Sequence, residues 1–254
     1  MEISKNKINI FSRLGNRKQR EKLGLFIAEG SKCVADTIDF FDVEAIVVLD
    51  PANADIAGYS GKMVLTANEH DMRKISQLQT LPDVVAIYRM PAEENLDSGL
   101  ISGSLTLMLD TVQDPGNLGT ILRIASWFGI RQVILGMGCA DPYNPKAVQA
   151  SMGAIGMIKI VHADLTQVLT THPDIPVYGT LLDGENIYEA QLELPAFVVM
   201  GNEGNGINDD IRKLVNRPLL IPSFATGPHA ESLNVAAATA VTVSEFCRRS
   251  VCKI

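Results

Sequence analysis

The sequence predicts an α/β protein built from two units. Three observations carry this expectation. Short strand and helix patterns alternate along the chain, several strands are apolar without interruption, and the alternation lapses once, between Pro91 and Ser104. Alternating elements imply helices packed on a sheet. Uninterrupted apolar strands imply a parallel sheet covered on both faces. The lapse, PAEENLDSGLISGS, has no periodicity and is rich in Gly, Ser and acids, so it reads as a linker. The expected division is 1–92, a linker at 93–104, and 105–254.

In the first unit, Leu25–Ala28 reads as a strand broken by Gly30. Ser31 is placed to cap a helix to about Phe40, since Val34 and Ile38 share a face. Val43–Leu49 reads as a buried strand, Asp71–Leu78 as a helix and Val84–Tyr88 as a strand. In the second, strands are expected at Leu105–Asp110, Gln132–Leu135, Met157–Val161, Val177–Leu182, Phe197–Met200 and Pro218–Ile221. Helices are expected at Leu118–Phe128, Pro145–Ser151, Leu165–Thr170, Asn208–Val215 and Leu233–Arg249.

Composition narrows the function classes. With 46% hydrophobic and 20% charged residues in 254, a packed core is available. No apolar run approaches the ~20 residues of a membrane span, and the N-terminus lacks a secretory pattern. Cys33, Cys139, Cys247 and Cys252 are scattered without a CxxC pair, which argues against a disulfide framework or a zinc site. A soluble, cytoplasmic, reduced protein is the expectation. The net charge of −7 speaks against nucleic acid, yet residues 1–22 carry seven basic side chains against two acidic ones. Such a basic arm either contacts phosphate or simply solvates a terminal helix.

Three segments hold candidate chemistry. In Asp110–Arg123 a strand ends, a Pro-Gly turn follows, and Asn117 can cap a helix whose stripe is Leu118, Ile121, Leu122, Ala125 and Phe128. Arg123 falls opposite that stripe. It is a solvated arginine, or a ligand group at the carboxyl end of a strand, where open α/β sheets bind ligands. In Phe197–Gly206 another buried strand runs into glycines around Glu203. The spacing matches neither GxGxxG nor a phosphate loop, and a plain tight turn is equally consistent. In Leu220–Asn234, Ser232 and Asn234 open the last helix; Ser232 reads equally as a simple N-cap and His229 as an ordinary loop histidine.

Taken in order, these segments resemble the SpoU/TrmH-type RNA ribose 2′-O-methyltransferases of the SPOUT class. The resemblance lies in D-x-x-Q-D-P-G-N-L-G-T-I-L-R (110–123), G-N-E-G-N-G (201–206) and I-P…E-S-L-N-V-A (221–236). Asn144-Pro-Lys-Ala-Val-Gln-Ala-Ser-Met-Gly-Ala154 is similar to the family's segment between the first two motifs. Asn16-Arg-Lys-Gln-Arg20 and Leu25–Lys32 are similar to the opening of the ribosomal-protein-like domain with which many members bind RNA. The stretch from Pro222 to Ser232 is longer than the family's usual spacing, beside the expected cofactor pocket.

The resemblance implies a C-terminal domain knotted as a trefoil around a mainly parallel sheet, plus a small N-terminal α/β RNA-binding domain. Gly201, Ile221 and Leu233 would line a pocket for S-adenosyl-L-methionine. Asn117, Arg123, Glu203, Ser232 and Asn234 would form the catalytic set, and Arg17, Lys18, Arg20 and Lys32 would contact RNA. No metal, DNA or membrane is implied. The family's usual homodimer is expected, with the small-residue face of the last helix as interface. Ribosomal RNA is favoured over transfer RNA as substrate. The alternatives are a non-catalytic RNA-binding or ribosome-assembly factor on the same fold, against which the intact polar set argues, and an α/β enzyme with a nucleotide cofactor, against which the missing fingerprint argues.

Overall fold

The computed structural model describes residues 1–49, 56–202, 204–228, 230 and 232–251. Two compact units emerge: Met1–Ala92 with Asp141–Gly156, and Glu93–Ala140 with Met157–Ile254.

The first unit holds a four-stranded sheet of β1 (Leu25–Glu29), β2 (Val43–Val48), β3 (Val64–Thr66) and β4 (Val84–Arg89), in the order β1-β4-β2-β3. β4 runs antiparallel to both neighbours, and β3 parallel to β2. One face buries Ile27, Val47, Val85 and Ile87 against Ile8 and Phe11 of α1 (Lys5–Phe11), and Met72 and Ile75 of α4 (Glu69–Ile75). Between them in sequence lie α2 (Arg17–Leu23) and α3 (Ser31–Thr37). Polar side chains start three of these helices: Ser4, Asn16 and Asn68 each accept a backbone N–H three residues on. Ser31 is not a cap; Gly30 holds that position, and the Ser31 hydroxyl is bonded to Asp83.

On the other face Phe26 meets Phe41 and Tyr143, both at 4.9 Å between ring centres. Tyr143 belongs to the segment Asp141–Gly156, which carries α7 (Pro145–Ser151) and packs in this unit although the sequence on both sides of it belongs to the second. Gly153 adopts φ +84°, and a Cβ there would lie 2.7 Å from the Asp36 carbonyl oxygen. Only glycine satisfies both constraints. The expected single block 105–254 is therefore interrupted.

The second unit is a six-stranded sheet, parallel at every pairing. Its strands are β5 (Leu105–Leu109), β6 (Gln132–Leu135), β7 (Lys159–His162), β8 (Val177–Asn186), β9 (Ala196–Met200) and β10 (Arg217–Leu220), ordered β10-β8-β9-β5-β6-β7. Its helices are α5 (Ser98–Gly103), α6 (Pro115–Trp127), α8 (Leu165–Thr171), α9 (Asp209–Arg212) and α10 (Val235–Val251). Met108, Ile134, Phe197 and Val199 pack against Ile101 of α5, Leu165 and Val168 of α8, and Ile211 of α9. α6 and α10 pack on each other, and Phe246 of α10 meets Tyr178 edge-on at 4.9 Å.

From β5 the chain builds outward to β6 and β7, then crosses back to β8 beyond β9. This reversal puts the switch point of the sheet at the carboxyl ends of β5 and β9, where a crevice usually takes the ligand. The expected linker at 93–104 is partly ordered structure instead. Asp97 caps α5 through Gly99 and Leu100, its own N–H bonds Gln132, and Ile101 is buried. Its lack of periodicity reflects a helix too short to show any.

Candidate active site

The crevice is built by three loops that leave the sheet at one end. At the end of β5, Asp110 is buried and its Oδ2 accepts the Asn208 N–H at 2.6 Å. Thr111 follows in the left-handed region at φ +55°, a costly conformation for a β-branched residue and one that clusters at functional sites. Asp114, not Asn117, caps α6, accepting the Asn117 N–H at 2.9 Å, with Pro115 in the first turn. Asn117 is thereby released for another role. Its Oδ1 accepts from Asn234 Nδ2 at 3.0 Å.

That bond ties the first loop to the third. Asn234 Oδ1 accepts the Ala236 and Ala237 N–H groups at 3.0 and 3.3 Å, so Asn234 caps α10 and Ser232 does not. Ser232 is exposed in the preceding loop. Both ends of the Asn234 amide are thus fixed, one by a helix and one by Asn117.

The second loop is a tight turn after β9. Asn202 and Gly206 exchange backbone hydrogen bonds at 2.9 Å each way. Asn202 also donates from Nδ2 to the Thr111 carbonyl at 2.9 Å and accepts from Gly204 and Asn205 N–H at 2.8 and 3.2 Å. A Cβ on Gly201 would lie 2.4 Å from the Gly206 carbonyl carbon, so the turn closes only over glycine. Asp110, Asp114 and Asn202 were not among the expected site residues. Asp114 before Pro115 and Asn202 two residues before Gly204 were readable, as a helix cap and as a side chain that bonds its own turn. Asp110 gave no signal, because its partner is a backbone group distant in sequence.

Ile221 is half-buried after β10, and Leu233 is 53% exposed. Gly201 follows β9 and Ile221 follows β10, both at the carboxyl end of the sheet. Arg123 is exposed on α6, six residues or about 1.7 turns beyond Asn117 and about 9 Å along the axis. Among the described residues it makes no hydrogen bond or ion pair. Glu203 and His229 lie outside the described residues. The nearby thiol of Cys139 is buried, donates to the Leu109 carbonyl at 3.2 Å, and is pushed up by burial, so it is no nucleophile.

The expected RNA contacts lie in the first unit. Arg17, Lys18 and Lys32 are exposed, Arg17 beside Glu21 at 2.7 Å and Lys32 beside Asp36 at 3.2 Å. Arg20 is a correction. Only 1% exposed, it bonds Asp141 Oδ2 through Nε (3.0 Å) and Nη2 (2.5 Å), and the Leu14 and Gly15 carbonyls through Nη1 (2.8 and 2.9 Å). Four of its five N–H donors are bonded inside the protein, and burial withholds the side chain from RNA.

A family model described as the SpoU rRNA methylase family matches residues 104–244, and one for an MRM3-like substrate binding domain matches 5–86. The chain is 30% identical over 248 residues to the 23S rRNA (guanosine(2553)-2′-O)-methyltransferase RlmP of Bacillus subtilis, covering 96% of this chain and 97% of that one. A TrmH-family protein of Porphyromonas gingivalis superposes with a TM-score of 0.86 at 39% identity, over 98% of this chain and 100% of that one. An AdoMet-bound rRNA methyltransferase of Sinorhizobium meliloti does so at 0.83 and 28% identity, over 99% and 98%. Motifs, crevice and relatives agree: the chain belongs to the SpoU rRNA methylase family.

Proposed function

We propose that the protein transfers a methyl group from S-adenosyl-L-methionine to a ribose 2′-hydroxyl of ribosomal RNA, breaking the sulfonium S–CH3 bond to release S-adenosyl-L-homocysteine while the hydroxyl proton passes to water. The observation that carries this reading is the side-chain link between Asn117 and Asn234, which joins the first and third family motifs at the crevice where Gly201 also lies. Full-length similarity to an enzyme of that named activity supports it.

Gly201, Ile221 and Leu233 would hold the methyl donor, which supplies an electrophilic sulfonium methyl. Asn117 and Asn234, fixed against each other, position the ribose so that its hydroxyl lies in line. Arg123 offers a planar fork of N–H donors. Its work is to hold ribose or phosphate and favour the developing alkoxide. Glu203 and Ser232 complete the set. Transfer from a sulfonium to a hydroxyl needs no metal.

The C-terminal unit carries the trefoil knot of its family in this reading. The N-terminal unit, ribosomal-protein-like, grips structured RNA through Arg17, Lys18 and Lys32. The enzyme works in the cytoplasm; among the described residues no helix is long and apolar enough to cross a membrane. The decisive experiment is transfer of labelled methyl to total RNA lacking the modification, followed by alkaline hydrolysis. Label in alkali-resistant dinucleotides of ribosomal RNA is expected. Label in mononucleotides means base methylation and defeats the proposal.

Reversing Lys18 to Glu is expected to weaken RNA binding and reduce its salt slope by about 1–2, one charge removed and one repelled. An unchanged slope would take Lys18 out of the interface. The homodimer rests on a different observation. Trp127, the only tryptophan, is 85% exposed on α6, and the small residues Ala237, Ala240 and Ser244 lie along the outer side of α10 packed beside it. Trp127→Glu is expected to halve the mass in light scattering, since loss of a central aromatic anchor costs about 2 kcal/mol or more of association, and to lower activity with it. Monomeric wild type would overturn this.

A further inference from the structure

We propose that Tyr188 and Phe224 form a stacking platform for an unpaired nucleobase of the RNA substrate, next to the nucleotide that is methylated. The inference rests on the RNA methyl-transfer reading and adds a recognition element to its site. Phe224 is 81% exposed and Tyr188 45%. Their ring centres are 6.4 Å apart with planes tilted by 36°. Exposed large rings are costly to leave in water, and two side by side form a small apolar surface of a shape that suits a base.

Their place in the fold sets the direction. Tyr188 follows β8 and Phe224 follows β10, and these strands are parallel neighbours. The Ile187 N–H bonds the Leu220 carbonyl at 2.9 Å, so both rings stand at the carboxyl end of the sheet. The loops of Asp110 and Gly201 leave from that same end. β10 is three strands from β5, about 14 Å at the usual spacing, a distance that a flanking nucleotide can bridge. Phe224 also lies between Pro222 and Ser232, the stretch that the resemblance marks as longer than the usual spacing.

One side of the platform is preorganised. Arg249 donates to the carbonyls of Ala190 (2.5 Å), Tyr188 (2.6 Å) and Ile187 (3.2 Å), clamping the turn that presents the tyrosine. Glu245 orients Arg249 at 2.7 Å. The hydrogen bond from Arg248, joined by that from Arg249 and outweighing burial, holds the Glu245 carboxyl at about 2. The clamp therefore stays charged at any working pH. Asn186 fixes the turn further, donating to Glu189 at 3.1 Å and accepting the Tyr188 N–H at 3.1 Å. The Glu189 carboxylate beside the ring repels phosphate and leaves the ring face as the recognition surface. Single-stranded and looped RNA is read in this way, by bases splayed onto aromatic side chains.

The test uses the full-length protein and a short single-stranded RNA carrying 2-aminopurine, whose fluorescence is quenched on stacking. Wild type and Tyr188→Phe are expected to quench. Phe224→Ala is expected to lose quenching and bind RNA about tenfold or more weakly, with Phe224→Trp restoring both. S-adenosylmethionine affinity stays within about twofold throughout. Unchanged quenching and affinity in Phe224→Ala would overturn the platform. So would a parallel loss of S-adenosylmethionine affinity, which would assign the rings to the donor's adenine. Wild type that quenches but methylates no RNA would defeat the reaction and leave the platform standing.

Discussion

Arg123→Ala is expected to lower the rate of methyl transfer by about 10²–10³-fold, the usual effect of removing one donor aimed at developing negative charge. Stability should hardly change. Arg123 is exposed and makes no hydrogen bond or ion pair among the described residues, and such surface substitutions stay within about 0.5 kcal/mol. An exposed guanidinium on the flank of the crevice helix presents a planar fork of N–H donors to the substrate. Arg123→Lys separates two roles. If the arginine removed the hydroxyl proton, lysine, with an ordinary pKa near ~10.4, would do so more readily and shift the pH–rate profile downward. If it only holds the ribose or phosphate, the profile keeps its shape and the rate falls, because a point charge cannot reproduce the planar fork. The second outcome is expected in single-turnover measurements at saturating S-adenosylmethionine. Unchanged turnover in Arg123→Ala would remove the residue from the site.

The pattern of apolar residues sufficed for the six strands of the second unit. LTLML and AFVVM are buried at every position, β5 and β9 of a parallel sheet, and burial on both faces leaves no polar alternation to mislead. β3 was missed because three residues, Val64–Thr66, show no period. α1 and α2 were missed because their charged faces hid short stripes such as Ile8 and Phe11. The site was legible where a side chain bonds its own turn, and obscure where partners are far apart in sequence. Asn117 and Asn234 were both named, yet nothing local told that one amide donates to the other across 117 positions. Placing the helix cap at Asn117 rather than Asp114 followed from reading the apolar stripe alone, which starts a turn after the helix does.

The Arg20 assignment failed for the same reason, and its correction yields the largest expected stability effect. A basic run counts charges but cannot show that one of them points inward to a carboxylate far along the chain. Asp141 is 11% exposed at the side chain and Arg20 1%. Asp141→Ala is expected to destabilise the protein by about 3–5 kcal/mol in urea unfolding, since a buried guanidinium then lacks its counter-charge. Asp141 Oδ1 also accepts the Tyr143 N–H at 2.8 Å, so the same change loosens the ring that packs on Phe26. Arg20→Met should cost about as much, since it strands the Asp141 carboxylate and leaves the Leu14 and Gly15 carbonyls unpaired. The double variant should then be more stable than the sum of the two losses predicts, which is the mark of a coupled pair. RNA binding separates this reading from a surface role. Measured well below its unfolding midpoint, Arg20→Met should keep the wild-type salt slope, whereas Lys18→Glu should not. Equal slopes for Arg20→Met and Lys18→Glu would return Arg20 to the RNA interface and make the internal ion pair incidental.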